Sequence, residues 1–211
     1  FIDPNTLSAD GTVRIGLMGE SQDDRYMAIA RSEAGSDWQE IRVLEIANRR
    51  ELPDRLRWVK FSGAAWSGDG FYYSRYDEPK AGDELKAKNE NQKVYYHKLG
   101  DAQEKDTLVF ADPRHPLRYY GAGVSEDKRF LFLYISEGTH GSEIHFRDLT
   151  RKDDPFHLLC PGFEFDYSPI DNIGTRFLVH TNCDAPNYRV VAIDAALPAK
   201  EHWETVIAEK G

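Results

Sequence analysis

Long apolar runs, cysteine, a basic surplus and helical periodicity are scarce or missing from these 211 residues, and each gap excludes something. Phe130 to Ile135 is typical of the apolar runs, far short of the roughly 20 residues that a helix needs to cross a bilayer. Two cysteines, Cys160 and Cys183, cannot build the dense disulfide framework of a small secreted scaffold, although one bridge is arithmetically open. Nothing in the chain indicates secretion, so two free buried thiols are expected, in the cytoplasm, with the periplasm as the alternative. Acidic residues outnumber basic ones 36 to 27. That balance argues against nucleic acid or an anionic membrane as partner, since either would select a basic surface. Stretches rich in Ala, Leu and Lys with a period near 3.6 are rare, whereas 11 Tyr, 11 Phe and 4 Trp favour sheet.

Chemistry-bearing motifs are missing too. The nucleophile elbow of an α/β-hydrolase needs Gly-x-Ser-x-Gly at a sharp strand-to-helix turn. Gly19-Glu20-Ser21-Gln22-Asp23 and Gly141-Ser142-Glu143 come nearest, and neither has the second glycine. No Ser-His-Asp triad is therefore expected in this chain. The seven histidines, His97, His115, His140, His145, His157, His180 and His202, are scattered without zinc spacing. They read as ordinary strand and loop residues, with no metal and no cofactor expected.

What the chain does contain is a repeat. Four segments share one grammar: a short strand, a polar turn, an aromatic-rich strand, an alternating third strand, then a fourth. Ser21 to Arg25 leads into Tyr26 to Ala30, then Glu40 to Ile46. Gly68-Asp69-Gly70 leads into Phe71 to Tyr73, then Lys93 to Leu99 and Thr107 to Phe110. Glu126 to Arg129 leads into Phe130 to Ile135, then Glu143 to Leu149 and His157 to Leu159. In the last segment, Phe165 to Ser168 is followed by a turn ending at Gly174-Thr175-Arg176, then Phe177 to His180, Tyr188 to Ile193 and Glu204 to Ile207. The aligned aromatics Tyr26, Phe71, Phe130 and Phe177 are spaced 45, 59 and 47 apart.

A period of about 50 with four strands per unit is the signature of a β-propeller blade. A plain sandwich also has many short strands, but it does not predict similar turn chemistry before the same strand four times. The expected fold is all-β, with a blade tail at 1–12 and blades at approximately 13–60, 61–115, 116–162 and 163–211. Phe1-Ile2-Asp3-Pro4-Asn5 reads as the outermost strand of a preceding blade, and the chain has no initiator Met. An excerpt of a larger propeller is therefore expected.

Four stretches carry a resemblance: Asp3-Pro4-Asn5-Thr6-Leu7-Ser8 with Gly11-Thr12-Val13, Gly35-Ser36-Asp37-Trp38, Trp66 through Tyr73 to Pro79, and Asn91-Gln92-Lys93 through Gly100. Together they resemble the propeller domain of prolyl oligopeptidases, serine peptidases that cleave short peptides after proline. The likeness runs through Asn187-Tyr188-Arg189. It implies about four blades of a seven-bladed propeller, non-catalytic by itself. It also implies two partners: the parent's α/β-hydrolase domain, which the propeller covers, and short proline-containing peptides. Three substrate-binding positions carry over by motif. Phe61 matches an aromatic lining the pocket for residues that precede the substrate proline. Tyr120 stands where characterised members have methionine, and Thr139 where they have cysteine, which alters pocket polarity and thiol sensitivity. The alternative is a non-enzymatic β-propeller protein-interaction module, since the same architecture commonly serves as a binding platform. Asp77 to Gln92 reads as a solvated excursion between strands. Trp38 is expected to pack between blades and Asp37 to satisfy backbone donors.

Overall fold

The computed structural model describes residues 3, 8, 11–33, 35–84, 86 and 88–210. The leading strand expected at 1–5 lies almost wholly outside the described residues. The chain forms two compact units, Phe1–Leu117 and Arg118–Gly211.

In the first unit, β1 (Arg14–Glu20), β2 (Tyr26–Ser32), β3 (Gln39–Glu45) and β4 (Arg50–Val59) form one antiparallel meander. A second consists of β5 (Ala65–Ser67), β6 (Gly70–Arg75), β7 (Lys93–Lys98) and β8 (Thr107–Phe110). The inward faces of the two sheets share a core of Ala28, Ile41, Val43, Leu56, Val59, Trp66, Phe71 and Tyr73. In the second unit, β9 (Tyr119–Val124), β10 (Phe130–Ser136), β11 (Glu143–Asp148) and β12 (His157–Cys160) form one meander. The other is β13 (Tyr167–Ile173), β14 (Arg176–Thr181), β15 (Arg189–Asp194) and β16 (Glu204–Ile207). Here Phe130, Phe132, Phe146 and Phe177 interlock, with the Phe130 and Phe177 rings 4.8 Å apart and edge-on.

Burial follows position in the sheet. β11 alternates strictly, with Ile144, Phe146 and Asp148 buried, as a strand with two distinct faces must. The neighbouring β10 is buried at five of its seven positions, and β16 at none of its four, because β10 is flanked by strands and β16 is an edge. The aligned aromatics Phe71, Phe130 and Phe177 each stand first or second in the second strand of their sheet and are no more than 1% exposed.

Turn chemistry repeats only in part. Ser21 Oγ donates to Asp23 Oδ1 at 2.6 Å and accepts from the Tyr26 N–H at 2.9 Å. Ser125 does the same with Asp127 and the Phe130 N–H, again at 2.6 and 2.9 Å. The hairpin at Gly68 and Asp69 instead has Tyr96 Oη donating to Asp69 at 2.8 Å. In the last sheet, β13 extends through Pro169 to Ile173, where the sequence pattern suggests a turn. The register shift between Pro169 and Asp171 explains why: β13 is an edge strand, where proline and a bulge are tolerated.

Candidate functional site

β4 ends in a strained corner. Trp58 and Phe61 both adopt positive φ, 61° and 52°, a left-handed conformation that costs a non-glycine residue roughly 1–3 kcal/mol and persists only where the surroundings over-determine it. The surroundings do so on both flanks of Phe61. Gln92, 1% exposed, donates its Nε2–H to the Lys60 carbonyl at 2.8 Å. The Ser74 N–H donates to Ser62 Oγ at 2.8 Å, and Ser62 Oγ donates to the Gly63 carbonyl at 2.8 Å. The Tyr76 N–H closes the corner onto the Trp58 carbonyl at 3.0 Å. Phe61 leaves this corner 61% exposed, so it is not a residue packed between the sheets.

An aromatic and cationic cluster supports the corner from beneath. Trp38 meets Trp58 and Tyr76 edge-on, with centroids 5.5 and 6.0 Å away. Since Trp58 ends the first sheet and Tyr76 follows β6 of the second, Trp38 packs between the two sheets as expected. Lys60 is 8% exposed, with Nζ 3.9 Å above the Trp38 ring and donating to Asn89 Oδ1 at 3.0 Å. Burial lowers its pKa, and Asp37 opposes the shift. The backbone donor of Trp38 is satisfied by Ser36 Oγ at 3.1 Å, the role expected of Asp37. The 77–92 excursion is more than solvated chain: Glu84 accepts the Trp38 indole N–H at 2.6 Å, and Asn89 and Gln92 hold Lys60.

In the second unit, Tyr120 pairs with Ile135 in register and is 2% exposed within β9. Thr139 lies exposed in the bend that follows β10. The hairpin places both at the end of the sheet where the second strand passes to the third. Gly141 closes that bend at φ 72°. A Cβ there would stand 1.8 Å from the Phe163 carbonyl oxygen, so only glycine fits. Its N–H donates to Asp166 Oδ1 at 2.7 Å. Phe61 occupies the corresponding end of the first unit's sheets, because Val59 pairs with Gln39 at the start of β3.

One polar group escapes the sequence reading. His97 is fully buried, with Nδ1 2.7 Å from Asp106 Oδ1 and Nε2 2.9 Å from Asp54 Oδ1. Tyr73 donates to the other Asp106 oxygen at 2.6 Å, and the Gly100 N–H donates to Asp54 at 2.6 Å. Burial works to lower the His97 pKa, but the two carboxylates overcome it and raise the pKa to about 9. Burial would raise that of Asp54, yet its bonds to His97 and Gly100 hold it below the ordinary value. His97 is therefore an imidazolium at neutral pH, linking β7 to β4. It is not an ordinary strand histidine. The available signal was a histidine at an inward position of an alternating strand, which must find partners.

The whole chain, residues 1–211, matches the family model described as prolyl oligopeptidase, N-terminal beta-propeller domain. The chain belongs to the prolyl oligopeptidase family. It is 39% identical over 210 residues to a prolyl endopeptidase of Elizabethkingia meningoseptica, covering 99% of this chain and 30% of that protein. It is 31% identical over 228 residues to the dual function macrocyclase-peptidase POPB of Galerina marginata, covering 100% of this chain and 31% of that protein. A solved structure of Galerina marginata prolyl oligopeptidase B bound to a 25mer macrocyclization substrate superposes with a TM-score of 0.88 at 30% identity, covering 99% of this chain and 31% of that one. The four meanders are thus blade sheets of the family's propeller, and the chain spans about 30% of the length of the relatives it matches.

Proposed function

We propose that this chain is the gating and substrate-access portion of a serine endopeptidase that cleaves short peptides after proline. The nucleophile is supplied by an α/β-hydrolase domain elsewhere in the parent chain. In this reading the blades run over 13–60, 61–115, 116–162 and 163–211, with a preceding blade's tail at 1–12. A propeller covering a hydrolase site admits oligopeptides and excludes folded proteins by size. Enclosure also removes water from the reacting groups. Phe61 forms the apolar wall for residues upstream of proline. Tyr120 and Thr139, at one end of the second unit's first sheet, are further substrate-binding positions in this reading. The two buried free cysteines support a cytoplasmic setting.

The observation that carries this reading is the display of Phe61. A large aromatic 61% exposed on a left-handed residue pinned on both sides is costly to maintain and contributes little to the core, which fits an apolar contact made for a ligand. Phe61→Ala in the full-length parent enzyme tests it. Specificity (kcat/KM) should fall roughly tenfold for peptides with a bulky apolar residue upstream of proline, and little for those with a small one, because a filled apolar pocket contributes about 1–3 kcal/mol. Equal losses on both peptides would contradict the assignment.

A further inference from the structure

The corner that displays Phe61 is held by a segment remote in sequence, and this assigns a role to that segment. Resting on the reading of Phe61 as a pocket wall, we propose that Gln92, assisted by Asn89, is a positioning residue for Phe61, acting through the peptide plane that joins Lys60 to Phe61. Gln92 is 1% exposed and donates from Nε2 to the carbonyl of Lys60, the residue immediately before Phe61. That bond fixes the orientation of the peptide plane joining Lys60 to Phe61. The plane's rotation sets φ of Phe61, which stands at 52°. Asn89 holds the same residue by its side chain, accepting from Lys60 Nζ at 3.0 Å while the ammonium rests on the Trp38 ring.

The excursion is itself anchored. The Trp38 indole donates to the Glu84 carbonyl at 2.6 Å, and the Asn91 N–H to the Pro116 carbonyl at 2.7 Å. Glu84 and Asn91, on either side of Asn89, are thus both tied to other parts of the first unit. Loss of the Gln92 donor frees the plane before Phe61 to turn towards the more favourable right-handed or extended region. The ring then leaves its position although no atom of Phe61 has changed.

The test is a double-mutant cycle in the full-length parent enzyme with proline reporter peptides carrying either a bulky apolar or a small upstream residue. Gln92→Met keeps the side-chain volume and removes the donor. It should lower the bulky-to-small ratio of kcat/KM severalfold through KM with kcat unchanged. The Phe61→Ala, Gln92→Met double variant should be no worse than Phe61→Ala alone. Additive losses, or equal losses on both peptides, would overturn the positioning role while leaving the pocket assignment standing. Absence of any selective effect from Phe61→Ala would overturn both. If Gln92→Met fails to fold, Asn89→Ala, altered in the loop alone, should lower the same ratio by a smaller factor, and an unchanged ratio would count against the proposal.

Discussion

The two units join their sheets by different physics. In the second, the seam is apolar: Phe130, Phe146 and Phe177 interlock with Ile144, Val179, Val191 and the buried thiols of Cys160 and Cys183. In the first, a comparable apolar cluster is interrupted by a charged clasp of Asp54, His97 and Asp106, extended by Tyr73. An apolar seam depends on volume and is indifferent to pH, whereas a buried ion cluster depends on protonation and fails if one partner is removed. The comparison teaches that blade sheets of one repeat can carry independent sensitivities.

The largest expected effect lies in the apolar seam. Phe177→Ala should destabilise the second unit by about 3–5 kcal/mol, the usual cost of emptying a large aromatic site. Denaturant melts should show that loss unchanged between pH 6 and 10. A loss that varies strongly with pH would break the contrast.

The clasp comes next. The His97 pKa is raised from its ordinary 6.5 to about 9 in the folded chain. Its contribution is therefore fully present below pH 6.5 and is lost as pH rises through 9, up to about 3 kcal/mol in all. The Asp54 pKa is lowered, so its share is present above the ordinary carboxylate range and is lost as pH falls through the depressed value. His97→Leu should flatten the alkaline limb, measured as melting temperature against pH. An alkaline limb that survives the substitution would assign the sensitivity elsewhere.

How far sequence reached follows the same division. Phe71, Phe130 and Phe177 were legible because each stands at the start of a second strand, just after a polar turn, and apolar patterning is a local signal. Asp54 and His97 were not, because they stand 43 positions apart and meet only once two sheets pack. Gln92 and Lys60, 32 positions apart, were hidden likewise. The extent of β13 was misread because Pro169, Asp171 and Asn172 look like a turn until the strand is known to be an edge. The expectation for Phe61 came from family resemblance alone, since nothing local foretells a left-handed phenylalanine.

Smaller effects sharpen the picture. Phe61→Ala should change the chain's melting temperature by no more than a degree or two, since the ring is 61% exposed and surface substitutions usually stay within about 0.5 kcal/mol. A drop of core size would make it a packing residue. A chelator should leave the melting curve unaltered, because no group of three His, Cys, Asp or Glu among the described residues is placed to hold a metal ion. A shift of several degrees would reveal a site.

The most direct measurement places a photoreactive group at the proposed wall. With Phe61 replaced by p-benzoylphenylalanine in the full-length parent enzyme, irradiation with a non-cleavable proline-containing peptide should crosslink position 61 to a peptide residue upstream of the proline, and excess unlabelled peptide should suppress it. A protein that binds the peptide yet forms no crosslink from position 61, or forms one only downstream of the proline, would contradict the account.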